Sequence, residues 1–449
     1  MNIVDKKETL MLFLGDVFIF LFSLWLMLLV RYFELPTWEV FSLHLWPFSL
    51  LFAAWFVVFY IAGLYESQTV LFKNKLPTTL FNAELANSIL AVAFFYFVPY
   101  FVITPKTNLF IALGLSFILI LIWRIYGAAL LGVRVRQNAI IIGSGGELRE
   151  LKSEVNHNSR YSIKFLSFVD ASDIQSIDFQ EDIVKKVYTE QIAFVAVDLH
   201  DERIDPLVPH LYNLIFSGVQ FMDMHKMYEE IFYRVPLSLV KYNWFLENIS
   251  HAPRSMYDFL KRLMDILIAL VLGAVSLLVY PLVCLLIKAG DGGPIFIKQE
   301  RIGKNNKPLH IIKFRTMTTD DHGDYEKNVP NEVTPVGVYL RRFRIDELPQ
   351  LWNVLRGDLS LIGPRPELPA LVRQYESHVP YYNIRHLIKP GLSGWAQIYH
   401  REHPHHAKDV EETKVKLSYD LYYIKNRSFM LDVKIALKTL KVLMLRSGV

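Results

Sequence analysis

One cysteine, Cys284, in 449 residues leaves no internal disulfide to form, so none of the polar parts depends on an oxidising compartment. Charge is sparse: at 20% Asp, Glu, Lys and Arg, the chain falls below the roughly 25% of a soluble domain. A complete dinucleotide-binding glycine fingerprint is missing, and so is any standard zinc-ligand spacing. No cleavable signal peptide is expected, because the first apolar run is too long and lacks a small-residue cleavage site. Hydrocarbon fills the space instead. The 52% hydrophobic and 14% aromatic content, with a mean hydropathy of +0.25, exceeds what a soluble core needs and reads as a membrane protein with cytosolic polar parts.

The net charge of +4 conceals an asymmetry. From Ala252 onward 29 Lys and Arg face 20 Asp and Glu, whereas the first 251 residues carry 19 against 24. A basic C-terminal portion suggests an anionic partner, and phosphate ligands, lipid headgroups and nucleic acid are the candidates. No recognised nucleic-acid motif accompanies the charge.

Apolar runs at 10–30, 45–64, 88–103 and 109–126 approach the ~20 residues a helix needs to cross the hydrocarbon core. We expect a four-helix transmembrane bundle over 1–130. Lys6 and Lys7 precede the first helix, Lys73 and Lys75 separate the second from the third, and Arg134 and Arg136 follow the fourth; the other two loops hold only Arg31 and Lys106. The positive-inside rule therefore puts the N-terminus and everything after the fourth helix in the cytosol.

Buried-looking strands follow at 137–143, 163–170 and 192–199, separated by polar, helix-length stretches. They predict a doubly wound, Rossmann-like (CoA-binding-like) cytosolic domain over 135–245. Gly143 and Gly145 are followed by Leu148 where the dinucleotide fingerprint wants its third glycine, which favours a structural or regulatory role.

The fifth apolar run, 263–287, is flanked by Lys261, Arg262 and Lys288 and contains Pro281, which removes the hydrogen bond to the Leu277 carbonyl. The expected form is a re-entrant helix that bends near Pro281 and returns to the same face, with Ser276 capping a freed backbone group; the plain alternative is a kinked fifth span. At the far end, 430–446 sets Lys434, Lys438 and Lys441 on one helical face. That pattern suits an interfacial helix or, nearly as well, a core-packed helix with a solvated lysine stripe.

A strand–turn–strand segment, 294–317, carries Lys298, Arg301, Lys304, Lys307, Lys313 and Arg315 and reads as a basic hairpin able to hold phosphates at headgroup level. Asp346 and Glu347 then stand among Arg341, Arg342, Arg344, Arg356 and Arg365. On a helix adjacent carboxylates diverge by about 100°, so they cannot share a proton. One could bind Mg²⁺ while the other attacks or shuttles a proton. Pro364 and Pro366 restrict the backbone around Arg365. Carboxylates for a metal and guanidinium forks for phosphate indicate phosphoryl transfer at a membrane surface.

In order, "KRLMDI", the proline-interrupted run, "GPIFIKQERIG", "KFRTM", "DELPQLWNVLRGDLSLIGPRP", "KPGLSGWAQI" and "YDLYYIKN" make the portion from about residue 257 onward resemble the bacterial sugar transferase family, the polyprenyl-phosphate sugar-1-phosphate transferases. The resemblance implies an α+β catalytic domain over 255–449 of a large, multi-domain membrane form. It implies transfer of a sugar-1-phosphate from a UDP-sugar to undecaprenyl phosphate, with release of UMP, as the first membrane step of exopolysaccharide, capsule or O-antigen synthesis. Asp346 would be the nucleophile and Glu347 its partner for Mg²⁺ or proton handling, both acting as metal ligands. Lys313, Arg315, Arg341 and Arg365 would hold substrate phosphates. A bacterial inner membrane location, with the catalytic domain cytoplasmic, membrane lipids as partners and a homodimer as the assembly to test, belongs to the same expectation.

Two departures accompany it. Tyr280 precedes Pro281 where many relatives have serine, and the loop "YHREHPHHA" (399–407) carries His400, Glu402, His403, His405 and His406, read as a polar loop near the donor site. The rivals are a membrane-anchored nucleotide-sugar dehydratase, to which Tyr257 and Lys261 would supply a Tyr-x-x-x-Lys pair, and a non-catalytic scaffold for polysaccharide assembly.

Overall fold

The computed structural model describes residues 6–65, 76–98, 106–130, 136–158, 161–172, 179–249, 254–318, 332–399 and 410–444. The chain divides into two compact units, 1–231 and 232–449.

The first unit opens with α1 (Lys6–Tyr32), α2 (Trp38–Ala62), α3 (Leu76–Phe97) and α4 (Lys106–Leu130), each long and apolar enough to cross a membrane. Their inner faces share one core containing Phe20, Leu24, Phe48, Trp55, Leu80 and Ile120, while Phe18, Trp46, Ile89 and Phe110 lie exposed on the outside. Large apolar residues turned outward suit a lipid environment rather than water. Helix α3 begins at Leu76, not at 88 as the hydropathy run suggests. Its first turns contain Glu84 and Asn87, which look like loop residues in sequence but are buried, Asn87 Nδ2 donating to Glu84 Oε2 at 3.3 Å. Asp16 of α1 and Arg124 of α4 form a second buried polar contact. The end of the third run, 99–103, lies outside the described residues, as do Lys73, Lys75 and Arg134 of the orientation pattern.

A parallel sheet follows, formed by β1 (Gln137–Gly143), β2 (Ile163–Asp170), β3 (Ile192–Val197) and β4 (Gln220–Asp223) in the order β2-β1-β3-β4. The connecting helices are α5 (Gly146–His157), α6 (Lys185–Thr189) and α7 (Val208–Leu214), and α8 (Met224–Phe232) leaves the last strand. Ala139, Ile140, Ile141 and Ile142 are fully buried, which explains an unbroken apolar strand where an exposed sheet would alternate. Gly143 has φ +157°, and a Cβ there would sit 2.6 Å from Leu148 Cδ2. Leu148, which spoils the dinucleotide fingerprint, therefore fills the space over the turn.

The second unit contains α9 (Tyr242–Asn248), α10 (Ser255–Asp291), the antiparallel hairpin β5 (Phe296–Ile302) and β6 (Pro308–Phe314), α11 (Pro335–Arg342), α12 (Gln350–Arg356), β7 (Ser360–Ile362), α13 (Pro369–His378), β8 (Gly391–Ser393), α14 (Trp395–Tyr399), α15 (Val410–Asn426) and α16 (Phe429–Met444). One expectation about α10 needs correction. Its helical structure is continuous across Pro281, and Ser276 Oγ donates to the Gly273 carbonyl at 2.7 Å rather than capping a group freed by the proline. The opening turns of α10 are fastened to the domain by polar bonds. Lys261 donates to the Ile362 carbonyl at 2.9 Å, Arg262 to the Val354 and Leu355 carbonyls at the end of α12, and Asp265 accepts from Ser360 Oγ and Leu361 N. Cations at a helix C-terminus complement its unpaired carbonyls.

The lysine stripe of α16 is not simply solvated. The Lys434 ammonium stands 5.2 Å from the Tyr233 ring centre and 5.4 Å from that of Trp395, while Lys438 lies 4.3 Å from Tyr399. The opposite face buries Asp432 and Ile435.

Candidate active site

The site forms where three segments meet, and each is shaped by a specific local requirement. The first is the end of β6. Asn353 of α12 ties to that strand twice, accepting from Ile312 N at 3.2 Å and donating to the His310 carbonyl at 2.8 Å. Lys313 and the residues just beyond it are thereby fixed.

The second segment runs from α11 to the acidic pair. Thr334 caps α11 by accepting from Gly337 N at 2.9 Å. A Cβ on Gly337 would lie 2.1 Å from the Thr316 carbonyl oxygen, so the glycine permits α11 to press against the strand exit. Arg341 then reaches Thr316 Oγ1 through Nε at 2.8 Å. Arg344 adopts a left-handed conformation, φ 53° and ψ 25°, uncommon for a non-glycine residue and typical of strained functional turns. The twist starts the 3₁₀ turn Ile345–Glu347, on which successive side chains diverge by about 120°. Asp346 is buried at 9% exposure, and Glu347 is directed to Arg365 at 2.7 Å and to Arg344 at 3.8 Å.

The third segment is the "GPRP" turn after β7. Strands β7 and β8 pair in parallel, Ser360 opposite Gly391 and Ile362 opposite Ser393. A Cβ on Gly363 would meet the Lys389 carbonyl at 2.6 Å, one on Gly391 would meet Gly363 N at 2.1 Å, and one on Gly394 would meet the Gly363 carbonyl at 2.5 Å. Three glycines thus let "GPRP" and "KPGLSG" interlock backbone to backbone. Beneath them the buried Arg385 donates to the Arg365 carbonyl at 3.1 Å and pairs with Asp420 of α15 at 2.8 Å and with Glu367 at 3.7 Å.

Charge follows geometry. Burial, reinforced by the neighbouring Glu347, pushes the Asp346 carboxyl up to about 6, against the pull of Lys313, Arg341 and Arg365. Burial also acts to raise Glu347, but Arg365, Lys313 and Arg344 outweigh it and bring it down to about 2. Desolvation lowers the Lys313 ammonium to about 8. Two adjacent carboxyls are therefore separated in character: one is ion-paired, and the other is a basic carboxylate in a field of fixed cations. That is a division of labour suited to covalent or acid–base chemistry.

Of the residues singled out in the sequence, Lys313, Arg341 and Arg365 are brought to act on Asp346, and Lys313, Arg344 and Arg365 on Glu347. Arg315 is buried, its guanidinium packed over Gly293, where a Cβ would lie 2.0 Å from Nη1. Arg356 lies over Trp352, 5.8 Å from the ring centre. Residues 400–409, with the histidine-rich loop, lie outside the described residues. Thr316, Glu367, Arg385 and Asp420 were not singled out. Asp420 lies within "YDLYYIKN" and Glu367 directly follows "GPRP", and an acidic residue inside an otherwise apolar or turn motif is the signal that could have found them. Tyr257 and Lys261, the pair a dehydratase would need, both bond Asp432 Oδ2 at 3.0 Å and serve to anchor α16.

Residues 256–446 match the bacterial sugar transferase family. An Aeromonas hydrophila UDP-N-acetylgalactosamine-undecaprenyl-phosphate N-acetylgalactosaminephosphotransferase is 42% identical over 199 residues, 44% of this chain and 46% of the relative. The Bacillus subtilis uncharacterized sugar transferase EpsL is 38% identical over 42% of this chain and 90% of its own length. A Komagataeibacter xylinus undecaprenyl-phosphate glucose phosphotransferase is 30% identical over 69% of this chain and 59% of its length. The match with the Aeromonas protein thus spans about half of that relative. With the acidic pair, the arginines and the interlocked loops all inside the matched region, and EpsL covered almost end to end, the chain belongs to the bacterial sugar transferase family.

Proposed function

We propose that this membrane protein transfers a sugar-1-phosphate from a UDP-sugar to undecaprenyl phosphate through a covalent intermediate on Asp346. The observation that carries this is the buried carboxyl of Asp346, held near a pKa of about 6 within reach of Lys313, Arg341 and Arg365. The names of the Aeromonas and Komagataeibacter relatives support the reaction class. In the first step a carboxylate oxygen of Asp346 attacks the phosphorus bearing the sugar, and the bond to the UMP phosphate breaks. A phosphate oxygen of undecaprenyl phosphate then attacks the same phosphorus and displaces the carboxylate, giving undecaprenyl-diphosphate-sugar. Splitting the transfer lets a soluble donor and a lipid acceptor use one site in turn. Arg365, fixed by Glu347 and the locked turn, and Arg341 would hold the diphosphate, and Lys313 would balance the charge that develops on it.

The adjacent carboxylates suit a hard cation in donor type. Glu347 Oε1 is engaged by Arg365 at 2.7 Å, whereas Oε2 has only the looser 3.8 Å pair with Arg344, so Asp346 and Glu347 Oε2 would hold Mg²⁺. Bound there, Mg²⁺ would supply further neutralisation of the diphosphate charge.

We further propose that the catalytic domain stands on the cytoplasmic face of a bacterial inner membrane, with α1–α4 as a transmembrane bundle and α10 re-entrant. In α10, Ala269 belongs to the apolar cluster of Leu309, Ile311 and Val354, while Val283 and Ile287 cluster with Phe314 and Leu340. Both stretches of the helix thus pack on the same β6 hairpin. That supports a helix immersed by its outward face, where Val271, Leu278, Leu282 and Leu285 are exposed, over one that carries its two ends to opposite sides. Exposed Val338, Tyr339, Phe343 and Trp352 beside the site suit an interfacial belt through which a lipid phosphate could approach.

Incubating the purified full chain with Mg²⁺, undecaprenyl phosphate and a panel of UDP-sugars, with UMP release as readout, tests the reading. Turnover is expected to fall about a thousandfold or more in Asp346→Asn and to stop on chelation until Mg²⁺ is restored; full activity in that variant would reject the nucleophile.

A further inference from the structure

The doubly wound domain carries a second cluster of chemistry-bearing residues that the transfer reaction does not use. Asp198 and His200 directly follow β3, and His225 lies one residue beyond the start of α8, directly after β4. Because β3 and β4 are parallel neighbours, with Val197 opposite Asp223, all three residues emerge at the same carboxyl edge of the sheet. One ligating atom from each lies within 4.8 Å of the others. A Cβ on Gly143, at the end of β1, would come within 3.5 Å of Asp198 Cβ, so the cluster adjoins the glycine turn. The strand order β2-β1-β3-β4 reverses between β1 and β3, and ligands of open α/β sheets bind at the carboxyl edge beside such a reversal.

The environment of His225 points to a ligand. The residue is 2% exposed, and neither ring nitrogen has a hydrogen-bond partner of acceptable geometry, although Nε2 lies 3.3 Å from Asp198 Oδ1. A simple buried His–Asp pair would close that bond, and leaving an imidazole unsatisfied costs about 1–3 kcal/mol. Asp223 Oδ1 is likewise buried without a hydrogen bond and faces His200 Nδ1 at 3.7 Å. An oriented carboxylate behind a histidine is the usual support for a metal-bound imidazole.

We propose that Asp198, His200 and His225 bind one divalent transition metal of the zinc class, independently of the Asp346–Glu347 pair. Imidazoles select such ions over Mg²⁺. Ligands about 2.0–2.1 Å from a tetrahedral zinc stand about 3.3 Å apart, so modest side-chain rotation closes the cluster. Three protein ligands leave a fourth position open beside the glycine turn and the start of α5, as in sites that bind a small molecule. The failed dinucleotide fingerprint is then coherent: Leu148 closes the cofactor turn, and the crevice takes a metal.

The test uses the full-length protein in detergent, stripped with EDTA and reloaded with Zn²⁺ or Co²⁺. The expected result is one tightly held zinc per chain by elemental analysis, together with the visible absorption of four-coordinate Co²⁺. His225→Gln should weaken uptake at least tenfold. His200→Ala, at a half-buried position that tolerates truncation, should do the same while the protein remains folded by circular dichroism. Asp346→Asn should leave the Co²⁺ spectrum unchanged, as should His405→Ala/His406→Ala in the histidine-rich loop. Failure of the wild-type protein to take up metal, uptake in His200→Ala at the wild-type level, or loss of the signal in the loop variant would each overturn the proposal.

Discussion

Asp346 and Glu347 are chemically alike and adjacent, yet their surroundings drive them in opposite directions, and the consequences have opposite signs. The folded value of Asp346, about 6, lies above its ordinary 3.8, so folding favours the protonated form. The resulting penalty is absent below about pH 4, grows as pH rises through 6 and is complete at neutrality. Asp346→Asn should therefore abolish turnover while stabilising the protein at pH 7.5, by at most about 3 kcal/mol. A thermal midpoint several degrees above wild type is the expected reading, and an unchanged or lower midpoint would contradict the account of its burial. Glu347 runs the other way: lowered to about 2, its pair with Arg365 contributes above pH 4.5 and is lost as pH falls toward 2. Turnover should follow a bell whose acid limb lies near 6, from Asp346, and whose alkaline limb lies near 8, from Lys313. Lys313→Arg, which keeps its charge, should move the alkaline limb upward and leave the acid limb in place.

At the scale of elements, the interlocked turns carry the next prediction. Gly363→Ala must displace the Lys389 carbonyl that would lie 2.6 Å from the new methyl. It should cost about 1–3 kcal/mol, as overpacking does, and reduce turnover by misaiming Arg365. Removing the buried Arg385 should cost about 3–5 kcal/mol, because Asp420 and Glu367 lose a shared partner. Helix α10 can be probed by placing single cysteines at 258 and 290 in a Cys284→Ala background; if the helix is re-entrant, both react with a membrane-impermeant thiol reagent from the cytoplasmic side only.

Much of this was legible in the sequence. Apolar length announced the first helices, unbroken Ile runs announced the parallel strands, and ordered short motifs announced the acidic pair and its arginines. Helix α3 was shortened because Glu84 and Asn87 satisfy each other out of sight, and Ser276 was given a capping role at the proline whereas its hydroxyl bonds the Gly273 carbonyl. The buried charges Arg385, Glu367 and Asp420 were missed because each depends on partners remote in sequence. The metal cluster of the middle domain was missed for the same reason: only the parallel register of β3 and β4 brings His225 to Asp198.

At the scale of the whole molecule, the match with EpsL covers 90% of that relative but only 42% of this chain. The transferase portion is therefore close to the size of an entire small protein. A chain beginning at residue 232, the start of the second compact unit, should release UMP within about tenfold of the full-length rate. A larger loss would mean that the first unit takes part in the transfer.

The backward twist at Arg344 separates two tasks that a single substitution would otherwise confuse. Glycine in its place would hold the bend without strain but leave Glu347 with one fewer cation, whereas lysine would keep the charge and still force an ill-suited backbone. If the variant with glycine proves the more active, the arginine's chief duty is to steer the chain; if lysine does, its duty is to guard the acid beside it.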